Sequence, residues 1–368
     1  MQVTRLEFRD LRCFAEASVG LAPGLNLLTG ANGSGKTSVL EALHLMAYGR
    51  SFRGRVRDGL VRAGAEAVEV FVEWRETAGQ GRSRRAGLRH GGQTWQGRLD
   101  GADLGQLGDL CAALAVVTFE PGSHALVTGA AEQRRRFMDW GLFHVEPEFL
   151  GLWRQYSRAL KQRNALLKAR GQAGQLEAWE RELVRAAEPL TLHRERYLEQ
   201  LQPCVQAAGA ALLPEAGEWS LQFQPGWRRG ELPLADALLL ARDRDLSTGH
   251  TSVGPHRADW RILQSGIPGR EALSRGQAKL TALTALLAQA EHQAGLRGEW
   301  PVVALDDLAS ELDRGHQALV LQRLASYGAQ VVITGTEAPP GLPGDLPVTV
   351  FHVEHGQIRP EAGAARST

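Results

Sequence analysis

Gly30-Ala31-Asn32-Gly33-Ser34-Gly35-Lys36-Thr37 fits the pattern G-x-x-x-x-G-K-[ST], a loop built to hold phosphate. Its glycines let successive backbone N–H groups turn inward, and a following helix N-terminus adds partial positive charge. Lys36 is placed to reach the β and γ oxygens and to act in catalysis. Thr37 is placed to bind Mg²⁺, and Ser38 closes the set of ATP-binding candidates. The flanks agree with this reading. Residues 25–29 (LNLLT) form a short apolar run bounded by glycine and read as a strand. Beyond the loop Val39, Leu40, Leu43 and Ala47 recur at helical spacing, with Gly49 as a C-terminal stop. Strand, loop and helix in that order predict an α/β fold.

A phosphate loop of this kind needs a carboxylate for the metal. Pro301-Val302-Val303-Ala304-Leu305-Asp306-Asp307 supplies one at the end of a buried strand. Asp306 is the expected Mg²⁺ residue, and Asp307 the residue that orients or deprotonates an attacking water. Lys36 and Asp306 stand 270 residues apart, so a further lobe is expected between them. Residues 130–213, rich in Ala, Leu, Arg, Gln and Glu at helical period, predict an antiparallel helix pair there. The expected division is residues 1–122 for the N-terminal part of the ATPase lobe, 123–250 for a mainly helical insertion, and 251–368 for the C-terminal part. Strands are expected near residues 3–8, 68–74, 113–119, 219–224, 259–264, 302–305, 330–334 and 348–353, and a long helix at 275–293.

The 368 residues are 43% hydrophobic and 23% charged, an ordinary globular balance that excludes a disordered chain. No stretch is apolar enough for a membrane span, and MQVTRLEFRD carries charges where a signal peptide is apolar, so a cytoplasmic location is expected. Three cysteines, Cys13, Cys111 and Cys204, are too few and too scattered for a disulfide framework or zinc site, and buried free thiols are expected. Basic and acidic residues nearly cancel, 42 against 41, so any polyanion site must come from local clustering. One such cluster lies between Arg50 and Arg98, with 11 arginines against 5 acids.

Leu273-Ser274-Arg275-Gly276-Gln277 opens the long helix. The S-x-x-Q spacing is a capping box whatever the function, and it also leaves a small, anion-friendly helix start. Here the chain resembles the ABC-type ATPases, whose signature is LSGGQ, and Ser310-Glu311-Leu312-Asp313 resembles their D-loop. Over nearly its whole length it resembles the RecF family of bacterial repair proteins. That resemblance is carried by Phe8-Arg9-Asp10-Leu11-Arg12, GANGSGKTSVLEA, Gly49-Arg50-Ser51-Phe52-Arg53, Arg134-Arg135-Arg136-Phe137-Met138-Asp139-Trp140, Gly254-Pro255-His256-Arg257-Ala258-Asp259 and LSRGQ.

The resemblance implies an ABC-type ATPase head with an inserted helical lobe, ATP and Mg²⁺ as cofactors, and an ATP-dependent homodimer in which Ser274, with Arg275, Gly276 and Gln277, contacts the partner's γ-phosphate. It also implies DNA binding with little sequence preference, including at single-strand/double-strand junctions. Its implied role is work with RecR and RecO to load RecA in recombination, replication repair and the SOS response. Two departures from the wider superfamily predict slow turnover. Asp307 stands where glutamate is usual, and residues 331–337 (VVITGTE) lack the switch histidine, leaving Thr334 or Thr336 as a substitute. No Q-loop residue is assigned beyond Glu120 by position. His256 and Arg257 admit a structural and a nucleotide-sensing reading equally.

Candidate DNA contacts are Arg53, Arg55, Arg57, Arg134 and Arg135, with the arginine-rich residues 82–89, because guanidinium groups pair with phosphate without reading bases. A transporter ATPase subunit would show much closer motifs and a switch histidine. An SMC or Rad50-like structural ATPase would need hundreds of heptad residues where 130–213 lies. Both stand as alternatives.

Overall fold

A computed structural model describes residues 1–54, 56, 59–79, 81–169 and 173–361. Contacts divide the chain into two compact units, Met1–Ser123 with Leu283–Thr368, and His124–Ala282. The first begins with β1 (Gln2–Leu11), β2 (Phe14–Val19), β3 (Leu25–Thr29), α1 (Lys36–Tyr48), β4 (Val68–Arg75), β5 (Ser83–His90), β6 (Trp95–Leu99), β7 (Ala102–Asp103), α2 (Leu107–Ala113) and β8 (Val116–Phe119). The second contains α3 (Ala125–Thr128), α4 (Ala131–Val145), α5 (Phe149–Ala169), α6 (Ala173–Leu212), β9 (Trp219–Gln224), α7 (Leu234–Thr248) and β10 (Asp259–Gln264). The division falls inside α8 (Arg275–Arg297), after which come β11 (Val302–Leu305), α9 (Leu308–Glu311), α10 (Arg314–Ser326), β12 (Val331–Thr334), β13 (Val348–Glu354) and β14 (Gln357–Pro360).

Two six-stranded sheets build the first unit. One is antiparallel, ordered β2-β1-β4-β5-β6-β7. The other is ordered β14-β13-β3-β12-β11-β8 and is parallel except for β14. Its central strands are buried on both faces, which is why LNLLT, VVAL and VVIT read as unbroken apolar runs rather than alternating ones. Strand order decides the site. β12 lies between β3 and β11, so the carboxyl ends of the three strands bring the glycine loop, the Asp306 pair and Thr334 to one edge. Helix α1 is buried along nearly its whole length, from Lys36 to Ala47, and Gly49 ends it at φ 66°.

In the second unit α5 and α6 pack as the expected antiparallel pair, since Phe149 meets His193 while Arg163 meets Glu180. The unit extends to Ala282, past the expected limit at 250, because β10 zips onto β9 from Asp259 against Gln224 to Gln264 against Trp219. The signature residues therefore lie in the second unit. Strand β5 occupies the arginine-rich residues 82–89, where alternation was hidden by charge. Arg84 bonds Glu76 and Asp100, Arg82 bonds Asp100, and Arg89 pairs with Glu66 and Glu69, so this stretch is a salt-bridged sheet face. Among the described residues no helix is long and apolar enough to cross a membrane.

Candidate nucleotide site

The loop between β3 and α1 is shaped by glycines that no other residue replaces. Gly30 has φ 144°, and a Cβ there would stand 2.2 Å from the Val353 carbonyl oxygen. Gly35 has φ 111°, and its Cβ would stand 2.4 Å from the Phe14 ring. Both positions exclude a side chain by conformation and by space. No side chain caps α1, so its first amides are left to the mouth of the loop, the arrangement that receives a phosphate. The Ser34 hydroxyl in this loop is buried with no partner among the described residues.

Lys36 is buried and folds back onto its own loop, donating to the carbonyls of Gly30 and Ala31 at 2.8 Å each. Burial pushes its pKa down, and the negative charges of Asp307 and Asp306 pull it back up. Opposite it, Asp306 is 4% exposed, and one of its oxygens accepts from Thr37 at 2.8 Å and Thr334 at 2.6 Å. Burial raises its pKa, while the two hydroxyls oppose the shift. Asp307 adopts φ 51°, and its N–H donates to the Thr334 hydroxyl at 2.9 Å. Its carboxylate takes no hydrogen bond from the described residues and lines the cleft. That cleft, about 270 Å³, is bordered by Asn32, Lys36, Thr37, Asp307, Thr334 and Thr336 among others. Thr37 and Asp306 present hard oxygen donors side by side, the chemistry that fits Mg²⁺. Glycine cradle, buried ammonium and orphan hydroxyl fit a nucleotide's phosphates.

The signature residues lie in the second unit as a capping box in both directions. The Ser274 hydroxyl accepts from the Gln277 N–H at 3.2 Å, and the Gln277 side chain accepts from the Ser274 N–H at 3.0 Å. Ser274, Arg275 and Gly276 are exposed, leaving the first turn of α8 open to a ligand. The expected D-loop residue Asp313 caps α10, accepting from Gly315 and His316.

A family model for the RecF/RecN/SMC N terminal domain matches residues 2–359. The chain is 65% identical to the DNA replication and repair protein RecF of Stenotrophomonas maltophilia, covering 97% of this chain and 99% of that one. It is 64% identical to the protein of that name from Xanthomonas axonopodis pv. citri, over 98% and 99%. The chain belongs to the RecF family. Among solved structures it is similar to the recombination mediator protein RecF with ATP in the RecFOR pathway, at TM-score 0.87 and 25% identity over 98% of both chains. An Smc head bound to the C-winged helix domain of ScpA shares the fold at TM-score 0.60 and 15% identity, covering 98% of this chain and 97% of that one. The fold expectation of an ABC-type head with an inserted helical lobe thus holds for this RecF-family chain.

Sequence reasoning missed one part of the cleft. Glu41, fully buried on α1, accepts from Arg12 at 3.0 and 2.7 Å and from Ser51 at 2.5 Å, with Arg53 at 3.8 Å. Arg12 and Arg53 line the same cleft as the glycine loop. A carboxylate inside the apolar run VLEALHLMA was the available signal, since a charge there needs a buried partner. Arg53, expected at DNA, is therefore placed at the nucleotide cleft. Arg134, also expected at DNA, is 4% exposed and spends its guanidinium on Asp259 at 2.6 and 3.1 Å and on the Gly129 carbonyl at 2.8 Å. Such a buried, bidentate arginine holds α4 to β10 and has no phosphate to meet. Arg135 is half-buried and donates to the Ala258 carbonyl at 2.7 Å. Arg55 and Arg57 lie outside the described residues.

Among the cysteines Cys13 is exposed rather than buried, at the rim of the cleft. His256 takes the structural role, bonded to Tyr156 at 2.6 Å and to the Thr251 carbonyl at 2.9 Å. Glu120 forms a turn after β8, accepting from Gly122.

Proposed function

We propose that this chain is an ATP-dependent DNA-binding protein of recombinational repair whose ATPase is a slow switch. The observation that carries the reading is the oxygen cluster at the strand ends. Thr37 and Thr334 both donate to Asp306, and the Asp307 N–H donates to Thr334, next to a buried lysine and a glycine cradle. In this reading the loop from Gly30 to Ser38 binds ATP, and Lys36 leaves the Gly30 and Ala31 carbonyls for the β and γ oxygens. Thr37 and Asp306 hold Mg²⁺, which when bound supplies positive charge to those phosphates. Asp307 takes the proton of the attacking water as the water oxygen bonds to the γ-phosphorus and the bond to the ADP oxygen breaks. A short aspartate without a hydrogen-bond partner positions that water poorly, which makes turnover slow.

Ser274, Arg275, Gly276 and Gln277, at the start of α8, contact the γ-phosphate held by a second copy, so ATP joins two heads in a head-to-tail dimer. That dimer grips DNA, hydrolysis releases it, and the cycle serves RecR and RecO in loading RecA and in the SOS response. The curated relatives named for DNA replication and repair and the RecF structure solved with ATP support this reading, which carries with it a cytoplasmic, nucleoid-associated location.

The test is the molar mass in solution without nucleotide, with ADP, and with ATP and Mg²⁺, repeated with Asp307→Asn and with short duplex DNA. A dimer formed only with ATP, strengthened by Asp307→Asn and by DNA, is the expected result. Lys36→Arg should lose hydrolysis, and Ser274→Arg should bind nucleotide as a monomer. A monomer in every condition removes the switch, and ATP-dependent dimers of Ser274→Arg remove the trans contact.

A further inference from the structure

Residues 249–258 join α7 to β10 as an irregular loop in the second unit, and side chains hold it from beneath. Thr251, 1% exposed, donates its N–H and hydroxyl to Asn164 at 2.8 and 2.7 Å and accepts from Arg163 at 2.8 Å. The Ser252 N–H donates to Asp245 at 3.1 Å, and the Pro255 carbonyl accepts from Arg194 at 2.7 Å. At Gly226, with φ 93°, a Cβ would stand 2.3 Å from the Gly254 carbonyl oxygen, so a second turn is pressed against the loop. A loop tied at this many points has little freedom left to lose on binding.

Three arginines rim it. Arg135 donates to the Ala258 carbonyl at 2.7 Å, Arg257 to the Thr251 carbonyl at 3.3 Å, and Arg244 to the Ser252 hydroxyl at 3.1 Å. All three acceptors are neutral. Among the described residues no carboxylate lies within 4.0 Å of any of these three guanidinium groups. Nearby acids are already taken. Asp259 holds Arg134, Asp139 holds Arg194, Asp245 holds Arg163, and Glu132 holds Arg136. The charges of Arg257 and Arg135 also reach His256, whose pKa falls to about 4 chiefly through burial, so that histidine adds no cation at neutral pH. Three guanidinium groups thus stand around one tied-down loop without an ion-pair partner among the described residues, Arg135 feeling Glu132, Asp139 and Asp259 only at longer range, and each has donors unspent.

We infer that this loop is a docking surface for the phosphate backbone of nucleic acid, with Arg135, Arg244 and Arg257 as its cations. Arg244 and Arg257 are exposed, so the surface is open, and an open surface bearing several cations suits a run of phosphates better than one enclosed anion. Neutral partners, two carbonyls and the Ser252 hydroxyl, orient the guanidinium groups without cancelling their charge. The inference rests on the DNA-binding reading and gives it a location that keeps Arg135 of the sequence's candidates and adds Arg244 and Arg257 in place of Arg53, Arg55, Arg57 and Arg134.

The experiment is a fluorescence anisotropy titration of short duplex DNA with ATP and Mg²⁺ over a salt series, comparing the full chain with Arg244→Ala/Arg257→Ala. Both side chains are exposed, so the variant should keep the wild-type melting temperature and nucleotide affinity. Its DNA affinity should fall for every sequence alike, and the slope of log affinity against log salt should shrink by about 2. Arg244→Lys/Arg257→Lys should restore the slope, because phosphate contact needs the charge. An unchanged affinity and slope in the alanine variant would overturn the loop assignment while leaving DNA binding intact. A wild-type chain that binds no duplex under any nucleotide would overturn the DNA-binding reading and the loop with it.

Discussion

Glu41→Gln isolates the part of the nucleotide cleft that no motif announces. The Glu41 carboxylate has no exposed surface, while the Arg12 side chain facing it is 23% exposed. Glutamine keeps the shape but removes the charge, and its amide sets a donor against the Arg12 guanidinium. Removing one partner of a buried ion pair costs about 3–5 kcal/mol, and water at the half-open arginine brings the expectation to the lower end, about 3 kcal/mol. For a unit of this size about 2–4 °C is lost per kcal/mol, so the melting temperature should fall by roughly 6–12 °C. Nucleotide affinity should fall too, since Arg12 and Arg53 lose the group that places them. Ordering two long side chains costs about 1–3 kcal/mol, which is roughly a 5- to 150-fold weaker nucleotide complex. Scanning calorimetry with and without MgATP, together with nucleotide titration, reads both effects. Glu41→Leu with Arg12→Leu removes the pair together and should be closer to wild type in stability than Glu41→Gln. If Glu41→Gln melts within 2 °C of wild type, a margin set by about 1 kcal/mol, and binds nucleotide equally, the argument from the buried pair is wrong.

Thr334→Val keeps the volume but strips Asp306 of a 2.6 Å hydrogen bond and the Asp307 N–H of its acceptor. Steady-state hydrolysis should fall about 5- to 150-fold for a loss of about 1–3 kcal/mol, with ATP affinity little changed and Thr334→Ser recovering the rate; an unaltered kcat refutes it. Cys13 lines the cleft and burial raises its thiol pKa, so maleimide labelling should be slow at neutral pH, faster as pH rises, and blocked by saturating ATP. Labelling that ignores nucleotide would place Cys13 outside the site. His44 is pushed down to about 3 by burial and by Arg50, and His256 to about 4 by burial first. Because the unfolded chain binds these protons first, their stability is complete above the unfolded pKa near 6.5 and is lost as pH falls toward the folded values. Unfolding free energies from denaturant titrations should drop between pH 7.5 and 5 by about 2 kcal/mol for each histidine, and a flat profile over that range would refute the assignment.

Much of the site was legible because its signals are local. The glycine loop, the apolar strands that precede its functional residues and the capping box at Ser274 each depend on a few neighbours in the chain. Strands 219–224 and 259–264 and the strand at 302–305 emerge where their patterns put them. Strand β5 did not, because arginines stand on both of its faces, and the inward one, Arg84, is held by Glu76 and Asp100 on other segments.

The arginines show where a chain read by itself stops. By residue type Arg53, Arg134 and Arg135 are alike, and clustering made all three candidates for phosphate. Folding gives one to the nucleotide cleft through Glu41, buries the second against Asp259, and leaves the third half-buried on α4 with the Ala258 carbonyl as its acceptor. Thr334 is similar. An absent histidine marks position 331–337 as unusual, but only the seat of β12 between β3 and β11 sets that hydroxyl on both aspartates. Short-range pattern therefore determined the α/β class, the glycine loop, the aspartate pair after β11 and the family. Which charges are spent in pairs and which stay free depends on neighbours in other elements, as far as 125 residues away for Arg134 and Asp259, and only tertiary packing brings those together.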